Sequence, residues 1–229
     1  MLTYPEWLPR QTVQNVADAI LNVYRTDWGD LSHFKSEAFM FGAQPLWGSK
    51  TNFGCITEID GVEVVACRGT NTLEEWVTDA AINGKVPFKD WGHVHSGFYE
   101  IFESVWIEIG SMLLGYKSVI FTGHSLGAAV ATLMASELHI KNSDTNISVV
   151  TFGSPKVGDT RFVSTFNASK INSCRIFNTL DLIPKLPFSL HLPEILIPNY
   201  AQVDEELSFT GNHEGLIEAH QMVNYISVL

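Results

Sequence analysis

The stretch Ser118-Val119-Ile120-Phe121-Thr122-Gly123-His124-Ser125-Leu126-Gly127-Ala128-Ala129 decides the fold. Its first half is a short β-rich run ending at Gly123. Its second half opens an Ala- and Leu-rich helix predicted over Leu126–Ile140. Between them stands Gly-x-Ser-x-Gly. As an isolated pattern this is weak, because Gly and Ser are common. Between a strand and a helix it describes a tight turn that lifts a serine hydroxyl out of a sheet, the setting of a nucleophile elbow. Side chains two positions either side of Ser125 would clash there, so Gly123 and Gly127 are required. The amino end of the helix then faces any negative charge that develops at the serine. A plainer reading makes Ser125 the N-cap of an ordinary helix. The strand before it and the paired glycines favour the strained turn.

Outward from this turn, strands and helices alternate. Thr12–Tyr24 places Val13, Val16, Ala17, Ile20, Leu21 and Tyr24 at helical spacing. Cys55–Ile59 and Val62–Cys67 flank Asp60-Gly61, a hairpin signal because both turn positions need φ > 0. Val62–Cys67 is nearly all apolar, as expected of a strand covered on both faces. Thr72 and Glu75 form a capping box for a helix through about Ala81. Ser96 opens another helix, with Phe98, Ile101, Phe102, Val105, Ile109 and Met112 on one side. Ile147–Phe152 and Arg175–Asn178 read as strands, and His220–Leu229 as a final helix. The alternation predicts an α/β fold: a mostly parallel central sheet, helices on both faces and an antiparallel N-terminal edge. No repeat or Pro/Ser-rich linker interrupts the chain, so residues 1–229 read as one domain.

Composition narrows the partners. Of the 229 residues, 45% are hydrophobic and 17% charged. The charged share is low against the usual value of about 25%, which implies a well-buried interior and some apolar surface with a purpose. A formal net charge of −11 repels nucleic acid and anionic membranes, so the expected substrate is neutral or cationic. Cys55, Cys67 and Cys174 show no ligand-like spacing. Free thiols in a reducing compartment are the simplest reading, with one disulfide plus a free thiol as the alternative. The opening MLTYPEWLPR lacks the pattern of a signal peptide, and no apolar window is long enough to span a membrane. A cytoplasmic setting is therefore the favoured expectation. Oligomeric state cannot be read from the sequence.

A serine hydroxyl needs a base, and the base needs an orienting carboxylate. In a fold of this kind the order is Ser, acid, His. Among Asp144, Asp159, Asp181 and Asp204, the best placed is Asp181. It follows the Arg175–Asn178 strand, where parallel sheets carry catalytic groups. Asp159 also follows a strand and reads as a turn or cap residue. Among His191, His213 and His220, the favoured base is His220, after a loop long enough to reach the active face. His213 comes next, and His191 looks like pocket lining. His93 and His95 form a His-x-His pair without a third ligand at a convincing spacing. They read as loop histidines rather than a metal site, and no metal or organic cofactor is expected.

With these residues in place, the chain resembles a known family, the fungal-type or class 3 triglyceride lipases of the α/β-hydrolase superfamily. The matching strings are Cys67-Arg68-Gly69-Thr70, Glu75-Trp76-Val77-Thr78-Asp79, Val94-His95-Ser96-Gly97-Phe98, Thr122 to Gly127, Thr151 to Asp159, and Asn178-x-x-Asp181-x-Ile183-Pro184-x-Leu186-Pro187. They run in family order and span most of the chain from about residue 55. The resemblance implies a triad of Ser125, Asp181 and His220. It also implies an oxyanion hole made by the Thr70 main chain and hydroxyl and the backbone N–H of Leu126. Asn224-Tyr225 after His220 resembles the family's C-terminal motif. The chain departs from the family at Cys67, where an aromatic or aliphatic residue is usual, and at Ala128, which replaces a common second glycine.

The implied activity is hydrolysis of neutral lipid esters, acylglycerols, through an acyl-enzyme, with transient contact at a lipid surface. The alternatives are a phospholipase or an aromatic, feruloyl-type esterase. More distant is a catalytically inactive lipid-binding hydrolase fold. The family's lid corresponds to residues 82–92. There Ile82, Val86, Phe88 and Trp91 either cover an acyl pocket as a mobile flap or form a fixed surface loop.

Overall fold

The computed structural model describes residues 2–25, 38–43, 51–70, 84–187, 199–203, 205–211 and 215–229. The helix expected over 72–81, and Asp204, His191 and His213, lie outside the described residues.

The Asp60-Gly61 turn joins β2 (Thr51–Ile59) to β3 (Val62–Cys67) as an antiparallel hairpin in which Ile59 faces Val62. Its residues have φ of 52° and 79°, the positive values such a turn requires. A first strand, β1 (Ala38–Ala43), extends this edge antiparallel to β2. From β3 onward the sheet is parallel. It runs through β6 (Ser118–His124), β7 (Asn146–Phe152), β9 (Asn172–Asn178) and β11 (Glu206–Phe209), in the order β1-β2-β3-β6-β7-β9-β11.

The pleat sends alternate residues to opposite cores. Val65 and Cys67 of β3 join Val119, Phe121, Ile147 and Val149 under α2 (Ser96–Leu113) and α3 (Leu126–Lys141). Val64 and Ala66 join Val150 and Phe152 under α1 (Arg10–Arg25), whose Val13, Val16 and Ile20 are buried. Every residue of α3 from Leu126 to Leu138 is buried. It packs against β3, β6 and β7 and also against α2. A helix apolar all round belongs in such a position.

A second, four-stranded antiparallel sheet was not anticipated from sequence: β4 (Lys85–Phe88), β5 (Gly92–His95), β8 (Gly158–Asp159) and β10 (Tyr200–Ala201). It bears on the two readings of residues 82–92, a mobile flap or a fixed loop, from residue 84 onward. Lys85–Phe88 pairs with Gly92–His95, and Phe88 is fully buried, edge-on to Tyr99, Phe102 and Phe162. Trp91 is buried too. Lifting this segment would strip two aromatic rings from the core, so it is a packed hairpin; Ile82 and Asn83 lie outside the described residues. The C-terminal helix is also revised. Gln221, at φ −65° and ψ 134°, splits it into α5 (Leu216–His220) and α6 (Met222–Ile226), with α4 (Thr160–Ala168) earlier in the chain. His220 therefore ends one helix instead of starting another. All three cysteines are buried and free.

Candidate active site

The parallel strands end on one side of the molecule, and three loops meet there. At the β6–α3 junction Ser125 has φ 57° and ψ −127°, a backbone that non-glycine residues avoid. Its side chain makes no capping hydrogen bond, which rules out the plain N-cap reading. The glycines are forced by space: a Cβ on Gly123 would lie 2.4 Å from the Gly127 carbonyl oxygen, and one on Gly127 would lie 2.5 Å from that of Arg68. The Ser125 N–H donates to Phe152 O at 3.0 Å, pinning the turn to β7.

Asp181 sits in the turn after β9, fully buried. Its carboxylate is held by three donors. Ile183 N–H donates to Oδ1 at 2.9 Å, while His220 Nδ1–H and the Tyr225 hydroxyl both donate to Oδ2 at 2.6 Å. A carboxylate can only accept, so Nδ1 of His220 carries the hydrogen and Nε2 of the neutral ring presents a lone pair. That Nε2 is buried without a hydrogen-bond partner among the described residues, and so is Ser125 Oγ. The next residue after Phe152, Gly153, brings the two loops together. A Cβ there would lie 3.0 Å from His220 Cε1 and from the Tyr225 hydroxyl, and 3.1 Å from Asp181 Oδ2. Burial, and then the Asp181 charge, push the Tyr225 phenol well above its ordinary 10.0, so it remains a donor. Asn178 ties β9 to the base: its N–H donates to the Tyr225 oxygen at 3.2 Å and its amide to Ala219 O at 3.3 Å.

The two expected oxyanion donors flank this group. Leu126 begins α3, where its N–H has no intrahelical carbonyl to meet. Thr70 follows Gly69, and a Cβ on Gly69 would lie 2.7 Å from Ser125 Cβ. Tetrahedral oxygen charge at Ser125 would thus form beside a helix amino end in a site shielded from water, where aligned donors act most strongly.

Asp159 and His95 act as helix caps. Asp159 is the N-cap of α4, accepting from Phe162 N–H at 2.9 Å, and His93 sits 3.1 Å from it. His95 caps α2 by accepting from Gly97 N–H at 3.2 Å and stacks on Phe98. No cluster able to hold a metal occurs among the described residues. Sequence reasoning missed the contacts of Tyr225, Asn178, Tyr24 and His124. Tyr225 had a signal in the Asn224-Tyr225 string; Tyr24 was read only as part of an apolar helix face.

Comparison with known proteins places this geometry in context. A family model described as Lipase (class 3) matches residues 64–191, more than half of the chain. A secreted mono- and diacylglycerol lipase from Fusarium solani is 29% identical over 163 residues, covering 67% of this chain and 48% of that protein. Phospholipase A1-IIalpha of Arabidopsis thaliana is 29% identical over 202 residues, covering 69% of this chain and 48% of that protein. The chain thus spans about half the length of these curated relatives. The Rhizomucor miehei lipase propeptide complex superposes with a TM-score of 0.71 at 24% identity, covering 93% of this chain and 71% of that one. The Fusarium relative is described as secreted, which overturns the cytoplasmic expectation.

Proposed function

The chain belongs to the class 3 lipase family, and from that premise we propose that it is a serine carboxylic-ester hydrolase acting on neutral acylglycerols through an acyl-enzyme at Ser125. The observation that carries the reading is the presence in one site of a strained, uncapped Ser125 and a His220 whose tautomer is fixed by Asp181 at 2.6 Å. His220 Nε2 takes the Ser125 proton as Oγ attacks the ester carbonyl. Asp181 stabilises the imidazolium, and Tyr225 holds the accepting oxygen in place. Leu126 N–H and Thr70 stabilise the oxyanion. His220 then protonates the leaving alcohol, and water, deprotonated by the same nitrogen, releases the acid.

Exposed apolar side chains on the segments that carry the acid and the base support a lipid substrate met at a lipid surface. Leu180, next to Asp181, is 41% exposed, and Val223, three residues past His220, is 50% exposed. The net charge of −11 disfavours anionic substrates and nucleic acid. No described helix is long and apolar enough to cross a membrane. The seven-stranded sheet, with a core on each face, supports reading the chain as one domain. An extracellular setting fits three thiols that are buried, with Cys55 and Cys174 pushed up to about 12 by burial, because such thiols are poor nucleophiles in any compartment.

The test is hydrolysis of p-nitrophenyl esters from acetate to palmitate by wild type and Ser125→Ala. We expect wild-type turnover with a long-chain preference and loss of about 1,000-fold or more in the variant. Equal activity in both proteins would sink the assignment of Ser125. A folded wild type that neither turns over esters nor reacts with a fluorophosphonate would point to a lipid-binding fold without catalysis. The phospholipase relative supports one second reading, with the same triad acting on a phospholipid. A panel of diacylglycerol, phosphatidylcholine and feruloyl esters separates the headgroups.

A further inference from the structure

Behind Ser125 a string of hydrogen bonds joins the three loops that converge on it. Gly69 N–H donates to the Tyr24 hydroxyl at 2.7 Å. That hydroxyl lies 2.8 Å from His124 Nδ1. His124 Nε2 lies 2.7 Å from the backbone oxygen of His220. The donors follow by elimination. The His220 carbonyl can only accept, so Nε2 of His124 carries the hydrogen. Burial, and then the neighbouring His220, hold the His124 imidazole well below 6.5, so the ring is neutral and its Nδ1 accepts. The Tyr24 phenol, raised to about 12 by burial, donates to it while accepting from Gly69. The Tyr24 hydroxyl thus accepts once and donates once, and with a neutral His124 no other assignment closes the string.

Its ends matter for the chemistry. One end is Gly69, next to Thr70 and so close to the nucleophile that an added Cβ would lie 2.7 Å from both Ser125 Cβ and the Tyr24 oxygen. The other end is the main chain of the base itself. The His124 ring also stacks on the His220 ring, with centroids 4.5 Å apart. An apolar filler here would leave the Gly69 N–H and the His220 carbonyl without these partners, so the string ties both main-chain groups to fixed positions.

We propose that Tyr24 and His124 are positioning residues that act as one brace, setting the His220 loop and the Gly69–Thr70 loop at a fixed spacing about Ser125. The proposal rests on the reading of Ser125 and His220 as nucleophile and base. Tyr24 selects the His124 tautomer, and that tautomer holds the His220 carbonyl, so removing either residue undoes the same restraint.

The experiment is a double-mutant cycle on the full chain with Tyr24→Phe, His124→Phe and the pair combined. The readouts are kcat and KM on a soluble p-nitrophenyl ester, the rate of fluorophosphonate labelling, and Tm. Tyr24→Phe removes one oxygen and keeps the ring. We expect kcat and labelling to fall together by about tenfold with KM within about twofold. The double variant should lose no more than His124→Phe alone. His124→Gln keeps an N–H for the His220 carbonyl and should recover part of the loss. If His124→Phe does not fold, the cycle runs in the His124→Gln background. A Tyr24→Phe protein with lower Tm but unchanged kcat overturns the brace, and so do fully additive losses. A wild type that is inert and unlabelled instead overturns the underlying assignment of Ser125.

Discussion

At the residue scale, the clearest forces at the site are steric. Gly123 and Gly127 each face backbone atoms within 2.6 Å of an added Cβ, and backbone at both places is fixed by the sheet and by α3. Such a clash has no flexible side chain to relax it. Gly123→Ala and Gly127→Ala should therefore give little folded protein. Gly61→Ala, with φ 79° but nothing within 4 Å, should cost only about 1 kcal/mol in urea unfolding. Equal stability of all three variants would refute this account of the elbow. His124 makes a second prediction, about acid. Its folded pKa lies well below 6.5, while the unfolded chain takes up a proton near 6.5. The unfolded state then binds more protons below that pH, so stability is full above about 6.5 and falls as pH drops. The groups facing the ring are His220, Tyr24 and Tyr225. The pH dependence of Tm between about 7 and 5 should be shallower in His124→Phe than in wild type; identical slopes would assign the acid loss to other groups.

At the scale of elements, the β4–β5 hairpin separates what the sequence could say from what it could not. Residues Ile82–Trp91 carry four large apolar side chains near a catalytic motif, and periodicity cannot tell a flap from a strand that small. Packing decides it, through rings more than ten residues away in the chain: Tyr99, Phe102 and Phe162 enclose Phe88. Phe88→Ala should lower stability by about 3–5 kcal/mol, as a core truncation does. A hairpin that swings freely would lose far less, so denaturant unfolding of this variant distinguishes the two. The same logic governs the rest of the chain. The Asp60-Gly61 hairpin, the β6–α3 turn and α2 were legible because each is fixed by neighbours in sequence: two turn residues, two glycines, one apolar stripe. Asp181 and His220 were singled out as candidates from chain order and strand position. The bonds Tyr225 and Tyr24 make were not, because each joins segments far apart in sequence, and a tyrosine on an apolar face looks the same whether or not its hydroxyl is engaged. The break at Gln221 was hidden as well, since Met222, Val223, Ile226 and Leu229 keep helical spacing across it.

At the scale of the whole molecule, charge and apolar surface make opposing demands. A net charge of −11 sets up repulsion from any anionic surface, extending over about 10 Å at 0.1 M salt. Adsorption to lipid must then come from apolar contact, and Leu180 and Val223 stand exposed on the segments that carry Asp181 and His220. Each is already about half buried, so covering the rest contributes only about 1 kcal/mol apiece, which is enough for a transient encounter but not for a permanent anchor. Hydrolysis of a neutral ester dispersed in phosphatidylcholine vesicles should therefore depend little on salt. Adding phosphatidylserine should slow it at low ionic strength, and salt should restore the rate as repulsion is screened. Leu180→Glu with Val223→Glu should lower the ratio of vesicle-bound to soluble ester turnover and deepen the phosphatidylserine effect. Faster hydrolysis on anionic vesicles at low salt would show instead that a local basic patch outweighs the net charge, and that lipid approaches by a different face from the one Leu180 and Val223 mark.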